Sequence, residues 1–176
     1  MMKSFLYIIG FLMIFGCKSK EEQTVVEVDQ QEKDSQQVTA KDIENLKYTD
    51  YVLSPESREA VVNWQRFQEL LAQIEFLKKA DFSFFNGKNE LLVNFLTDLR
   101  KDIPQHVSGP AINERLIALE TKILKLHSTF KLPNAKKEEV LKNIKEVLVA
   151  NSNLHLQINK KFEFESQVIE DPSVED

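Results

Sequence analysis

The chain has 176 residues, of which 42% are apolar and 29% charged, and its formal net charge is −5. This length fits one folded domain with extensions at its ends. Of its four glycines, only Gly87 and Gly109 lie beyond residue 16, which excludes the clustered glycines of phosphate-binding loops and dinucleotide sites. The single cysteine excludes an intramolecular disulfide and a cysteine-based zinc site.

The first residues have the pattern of an export signal. Lys3 supplies a positive charge, and residues 5–15 form an apolar run interrupted only by Gly10. A positive residue followed by about a dozen apolar ones is typical of a signal peptide, whereas a membrane-spanning helix needs about 20 apolar residues. We therefore predict that residues 1–16 are a cleaved signal peptide.

The end of this signal carries a known motif. Ile14, Phe15 and Gly16 precede Cys17. The stretch resembles the lipobox of bacterial lipoproteins, although Phe15 is bulkier than the residue usual at its position. The resemblance implies that Cys17 carries a covalent diacylglycerol and an N-acyl chain, which together form a firm membrane anchor. A secreted protein with a cysteine near its signal by chance is the alternative.

The residues after the cysteine bear on localisation. Position 18 is Lys, and this resembles lipoproteins that are sorted to the outer membrane, because Asp there is the inner-membrane retention signal. The acidic stretch Lys20–Glu22 resembles a surface-display signal of some lineages, with an ordinary charged spacer as the alternative. The resemblance therefore implies the outer membrane and leaves periplasmic and cell-surface orientations open.

Composition divides the rest of the chain into three segments. Residues 17–53 carry 5 basic and 9 acidic side chains and no Trp, Phe or Gly, which predicts a lipidated cysteine followed by a disordered acidic tether. Apolar residues between Ile43 and Leu53 leave open that the end of this segment folds back. We predict a helical body over residues 54–163 and a disordered acidic tail over 164–176. The negative total charge and the absence of a basic run disfavour nucleic-acid binding.

Apolar spacing predicts four helices in the body. The first, at about 55–80, begins with Ser54 as N-cap and Pro55 in its first turn. The second, at about 88–102, follows the corner ending in Asn86-Gly87. The third starts at Ser108-Gly109-Pro110 and runs to Phe130, and the fourth begins near Ala135. Apolar residues in the third recur at alternating spacings of four and three, as in heptad packing.

These helices predict an all-α fold. Short turns favour antiparallel helical hairpins that form an up-down four-helix bundle, with two hairpins stacked end to end as the alternative. The second helix is only about half as long as the fourth. This mismatch would leave part of the fourth helix uncovered, for a partner or for the tether.

Few residues stand out as candidate sites. Phe82, Phe84 and Phe85 cannot share one helix face, so they form either a partner surface or a cap on the core. Asn151 interrupts the apolar seam of the fourth helix, where a polar residue either fixes the packing register or lines a ligand site.

The sequence contains no recognisable catalytic, metal-binding or cofactor-binding motif. We therefore predict a lipoprotein that is not an enzyme, needs no cofactor and serves as a protein-interaction or structural module for another envelope protein. The alternative is a carrier for a small ligand or a metal, which would use the bundle interior or His127 and His155.

Overall fold

The computed structural model describes residues 37–167, which form six α-helices and no β-strand. In chain order the helices are α1 (Ala40–Glu44), α2 (Pro55–Ala60), α3 (Gln65–Lys78), α4 (Asn89–Lys101), α5 (Pro110–Phe130) and α6 (Lys137–Ser166). The all-α prediction is confirmed for this part of the chain. The predicted signal peptide, Cys17 and most of both acidic terminal segments lie outside the described residues. No helix in the range 37–167 is long and apolar enough to cross a membrane.

The folded body begins earlier than predicted. The predicted tether extends to residue 53, yet the side chains of Val38, Ile43 and Leu53 are buried in the core. The boundary of the folded unit therefore moves from residue 54 to Val38. Composition misplaced it because these few apolar residues pack against helices that lie far away along the chain.

Helix α1 starts with a reciprocal cap. The Asp42 N–H donates to Thr39 Oγ1 at 3.3 Å, and the Thr39 N–H donates to Asp42 Oδ2 at 2.8 Å. Asp42 Oδ2 also lies 2.9 Å from Lys137 Nζ at the start of α6. The hydrogen bonds from Thr39 and then Lys137 lower the pKa of Asp42 from 3.8 to about 2. The Asp42–Lys137 ion pair ties the start of the folded body to α6.

The helix predicted at 55–80 is two helices. Ser54 caps α2 and Pro55 opens it, as predicted, but α2 ends at Ala60 and α3 begins after Trp64. The break lets the Trp64 indole enter the core, where its Nε1–H donates to the Leu99 carbonyl oxygen at 2.9 Å and its ring stacks on Phe67. The intervening Val-Val-Asn turn consists of poor helix formers, so little helix stability is lost by interrupting the helix there.

Helices α5 and α6 form the main antiparallel hairpin. Their direction follows from side chains that meet across it: Asn143 Nδ2 donates to Thr129 Oγ1 at 2.7 Å, and Glu146 pairs with Lys122 and Lys125. All but one of the predicted seam positions are buried; the exception is Phe130, at the end of α5, which is half-buried. The buried positions are Ile112, Leu116, Leu119, Ile123 and Leu126 on α5 and Val140, Ile144, Val147, Asn151, Leu154 and Ile158 on α6. The periodicity thus predicted this hairpin correctly.

Candidate functional site

Residues 46–54, which we call the strap, run between α1 and α2 without regular secondary structure. Polar side chains of α6 bind the strap's backbone, and they are Ser152, His155 and Asn159. Ser152 Oγ accepts a hydrogen bond from the Tyr51 N–H and donates one to the Thr49 carbonyl oxygen, both at 2.7 Å. One α6 hydroxyl therefore satisfies both a donor and an acceptor of the strap.

The next turns of α6 continue this ladder. Asn159 Oδ1 accepts from the Ser54 N–H at 2.9 Å, and its Nδ2 donates to the Val52 carbonyl oxygen at 2.8 Å. His155 Nδ1 lies 2.9 Å from the Tyr51 carbonyl oxygen, which can only accept, so Nδ1 carries the proton. These α6 side chains thus satisfy backbone N–H and C=O groups of the strap that have no partner in a helix or sheet. The strap covers part of α6, as the length mismatch between the predicted helices allowed.

A cavity of about 610 Å³ lies between the strap, α2, α3 and α6, and we call it the strap pocket. Its apolar lining includes Leu53, Val61, Val62, Leu71 and Ile74. Two buried polar residues, Asn151 and His155, also line it. This volume, with mostly apolar walls and few polar groups, is typical of small-molecule sites.

The buried pair in the strap pocket presents hydrogen-bond acceptors. His155 is 9% exposed, and burial lowers its pKa against the opposing effect of the Tyr51 carbonyl, so the imidazole is neutral at pH 7. With the proton on Nδ1, the Nε2 lone pair faces Asn151 Nδ2 at 3.4 Å. Asn151 is 4% exposed, and its Oδ1 has no hydrogen-bond partner among residues 37–167. The predicted polar core position therefore has an unsatisfied acceptor.

The charged side chains that line the strap pocket balance one another. Lys78 Nζ lies 2.9 Å from Glu75 Oε1 and 3.0 Å from Asp50 Oδ2. Burial lowers the pKa of Lys78, but its hydrogen bonds to these two carboxylates outweigh burial and raise the pKa overall. With the exposed Arg58, the lining carries two cations and two anions.

The other histidines also bind backbone. His127 Nδ1 lies 2.9 Å from the Phe85 carbonyl oxygen, and His106 Nε2 lies 2.8 Å from that of Ala60. Each ring thus fixes a segment where the chain leaves a helix or turns a corner. Within the described part of the chain, no group of three or more His, Cys, Asp or Glu residues could hold a metal ion.

The three phenylalanines of the predicted partner surface cover the end of the core. Phe85 is fully buried, and Phe82 and Phe84 are half-buried. The Phe82 ring lies 5.1 Å from that of Phe130, and the Phe84 ring lies 5.0 Å from those of Phe85 and Phe95. Phe85 therefore caps the core, whereas the half-buried Phe82 and Phe84 fit both the capping and the partner-surface alternatives.

The α5–α6 hairpin carries a basic surface whose residues are not among the predicted site residues. A groove of about 420 Å³, which we call the basic groove, is lined by four cationic side chains, Arg115, Lys122, Lys142 and Lys145. Spacings of seven on α5 and three on α6 place each pair on one helix face, and this is the signal that could have revealed the groove. Its apolar lining consists of small residues, Ala118, Val149 and Ala150.

One carboxylate, Glu146, lies in the basic groove. Hydrogen bonds from Lys125 and then Lys122, at 2.9 and 3.0 Å, lower its pKa. Among residues 37–167, no ion pair involves Arg115, Lys142 or Lys145. The groove therefore presents excess positive charge on a rigid two-helix surface.

Comparison of the chain with protein-family models, with curated proteins and with solved structures finds no match.

Proposed function

We propose that this protein is a bacterial lipoprotein held at the outer membrane by acyl chains on Cys17, and that its helical body binds an acidic segment of another envelope protein. The body acts as an interaction module and not as an enzyme. The basic groove is the observation that supports this function best.

The basic groove suits an acidic chain for three reasons. Four cations face one carboxylate, and that carboxylate is already engaged by Lys122 and Lys125. The cations stand on two helices whose inner faces are packed in the hairpin core, so the backbone positions from which they extend are fixed. The small side chains of the lining leave room for a peptide to approach closely. Such charge complementarity favours fast and selective association.

The proposed anchor adds to this affinity. Only 20 residues separate Cys17 from Val38, so the folded body stays within at most ~70 Å of the lipidated residue. Confinement near a membrane raises the effective concentration of any partner in the same membrane. A modest affinity in the groove is therefore sufficient for a stable complex.

We also infer that α3 to α6 are arranged up-down-up-down as a four-helix bundle. Contacts between each consecutive pair support this arrangement, and the Phe67 ring on α3 meets the His155 ring on α6 at 6.0 Å. The end-to-end alternative would separate these two rings. Distances between spin labels at the two ends of α3 and α6 distinguish the arrangements.

The anchor is tested by a change at one atom. In cells that express the Cys17→Ser chain, the protein is expected to leave the membrane fraction, because serine does not accept the diacylglycerol. Its mobility on a gel is also expected to differ from that of the acylated form. Protease treatment of intact cells expressing the unchanged protein then shows on which side of the outer membrane the body lies. Unchanged membrane fractionation of the Cys17→Ser chain would refute the anchor.

The groove is tested by reversing its charge. A photo-crosslinking residue at Val149 is expected to capture one envelope protein in stoichiometric yield, and Lys142→Glu with Lys145→Glu is expected to abolish the capture. The matched control reverses two exposed lysines elsewhere, Lys79 and Lys101, and is expected to leave the capture intact. Equal loss in both double variants, or no discrete crosslinked protein, would contradict the proposal.

A further inference from the structure

We propose that the strap pocket binds a small, uncharged molecule that combines an apolar body with a hydroxyl or N–H donor. This site is independent of the basic groove, since it lies between the strap, α2, α3 and α6, and the groove lies on the outward side of the α5–α6 hairpin.

The size and walls of the pocket define the body of the ligand. Its volume of about 610 Å³ falls within the ~300–1,000 Å³ range of drug-sized ligand sites. Side chains from three separate segments, Leu53, Val61 and Leu71, contribute apolar surface. A compact apolar skeleton, such as a fused ring pair, fits this lining.

Asn151 defines the polar group of the ligand. Asn151 lines the pocket and is only 4% exposed. Its Oδ1 has no hydrogen-bond partner among the described residues. A buried amide oxygen without a donor is costly. Oδ1 has almost no exposed surface of its own, so a ligand donor reaches it when the Asn151 amide turns toward the pocket, and the bond formed there adds affinity. An acceptor group at the same place would be repelled.

His155 strengthens this requirement for a donor. The Tyr51 carbonyl fixes the proton on Nδ1, so the neighbouring Nε2 is also an acceptor. The only donor facing Nε2 within the described residues is Asn151 Nδ2, at the long distance of 3.4 Å. The two residues therefore offer one free acceptor, Asn151 Oδ1, beside a second, His155 Nε2, that is held only by this long bond.

The charges of the pocket disfavour an ionic ligand beside Asn151. Lys78 is already paired with Asp50 and Glu75, and the remaining cation, Arg58, is exposed to solvent. An ion placed beside Asn151 would lose its hydration without gaining an unpaired opposite charge. An uncharged ligand avoids this loss.

Calorimetric titration of residues 17–176 carrying Cys17→Ser tests the proposal without detergent, which would compete for an apolar pocket. The probes are 2-naphthol, which has a donor, and 2-methoxynaphthalene, which has a similar size but none. We expect 2-naphthol to bind at least about tenfold more tightly, as one hydrogen bond to a buried acceptor requires. Binding of 2-naphthol is also expected to raise the melting temperature. The anion naphthalene-2-sulfonate is expected not to bind.

Two variants locate the binding. Asn151→Leu is expected to narrow the difference in affinity between the two naphthalenes, because Asn151 Oδ1 is gone while the shape is kept and His155 Nε2 is the acceptor that remains. Leu71→Trp is expected to fill the pocket and abolish binding of both, whereas Leu141→Trp, at another half-buried helix position, is expected to leave binding intact. Circular dichroism confirms that each variant is folded.

Absence of binding by 2-naphthol, equal affinity for the two naphthalenes in the unmodified pocket, or full binding by Leu71→Trp would each overturn the proposal. Tighter binding of the sulfonate would overturn the uncharged class. None of these outcomes bears on the basic groove, which contains neither Asn151 nor Leu71.

Discussion

The α5–α6 hairpin and the strap are held against the same helix by different physical means. The hairpin buries a periodic apolar seam, in which Leu119, Ile123 and Ile144 have no exposed surface. The strap buries one large side chain, Leu53, with Leu46 and Tyr48 half-buried, and side chains of α6 bond its backbone, as Ser152 and Asn159 do. Burial of one large apolar side chain stabilises by roughly 1.5–3 kcal/mol, whereas one hydrogen bond contributes about 0.5–1.5 kcal/mol net. We therefore expect the hairpin to determine global stability and the strap to open locally.

The largest expected effect is loss of a seam side chain from the hairpin. Leu119→Ala leaves a cavity in a fully buried position, and we expect the free energy of unfolding to fall by about 3–4 kcal/mol in urea titrations. Ile117→Ala, on the same helix at a residue that is 49% exposed, is the matched control and is expected to change it by less than about 0.5 kcal/mol. Similar losses in both variants would show that the seam does not dominate.

Removal of the strap's hydroxyl partner is expected to have a smaller and local effect. Ser152→Ala leaves the Tyr51 N–H without its acceptor, which costs about 1–3 kcal/mol. Hydrogen exchange at the Tyr51 amide is expected to accelerate by about tenfold for each 1.4 kcal/mol by which the variant destabilises the closed strap. The amides of α5 are expected to keep their protection.

Ser128→Ala is the control for this experiment, because the Ser128 hydroxyl bonds only the Leu124 carbonyl of its own helix. It is expected to leave exchange at Tyr51 unchanged. If Ser152→Ala accelerates exchange in α5 as much as in the strap, the two regions unfold as one unit and the distinction between them fails.

The same difference explains what could be predicted from the sequence. A repeating apolar spacing is local information, so α5, α6 and the start of α2 at Ser54-Pro55 were all found. The strap's hydrogen bonds connect residues more than a hundred positions apart, such as Tyr51 with Ser152. The spacing of residues along a short stretch of sequence cannot predict such pairs. Asn151 was found because it interrupts a seam, but the strap pocket depends on where the strap lies and could not be found. The break before Trp64 was missed because its spacing also fits a continuous helix.

The hairpin also contains a carboxylate that opposes folding. Burial raises the pKa of Glu120, and Arg100, 3.5 Å away but half-exposed, compensates only in part. The free energy of unfolding is therefore expected to fall as the pH rises from the ordinary value of 4.5 through the raised pKa, because over this range the folded state still binds a proton that the unfolded state has lost. Glu120→Gln is expected to remove this fall and to raise stability at pH 7.

Denaturant titrations of both chains between pH 4 and pH 8 measure the effect. Glu114→Gln, at an exposed position of the same helix, controls for the change in net charge. A larger fall with rising pH in the Glu120→Gln variant than in the unchanged chain would show that the Arg100 pair outweighs burial.

The smallest expected effect has the opposite sign and lies next to the strap. Hydrogen bonds from Thr39 and Lys137 lower the pKa of Asp42 to about 2, so its contribution to stability is complete above its ordinary pKa of 3.8 and is lost as the pH falls through 2. Asp42→Asn is expected to remove this acid-dependent part and to accelerate exchange at the α1 amides at pH 5, with little change in α5. Glu44→Gln, an exposed carboxylate on the same helix, is the control and is expected to change neither. Because Asp42 is solvent-exposed the global change is small, and a large one would mean that α1 belongs to the cooperative core with the hairpin.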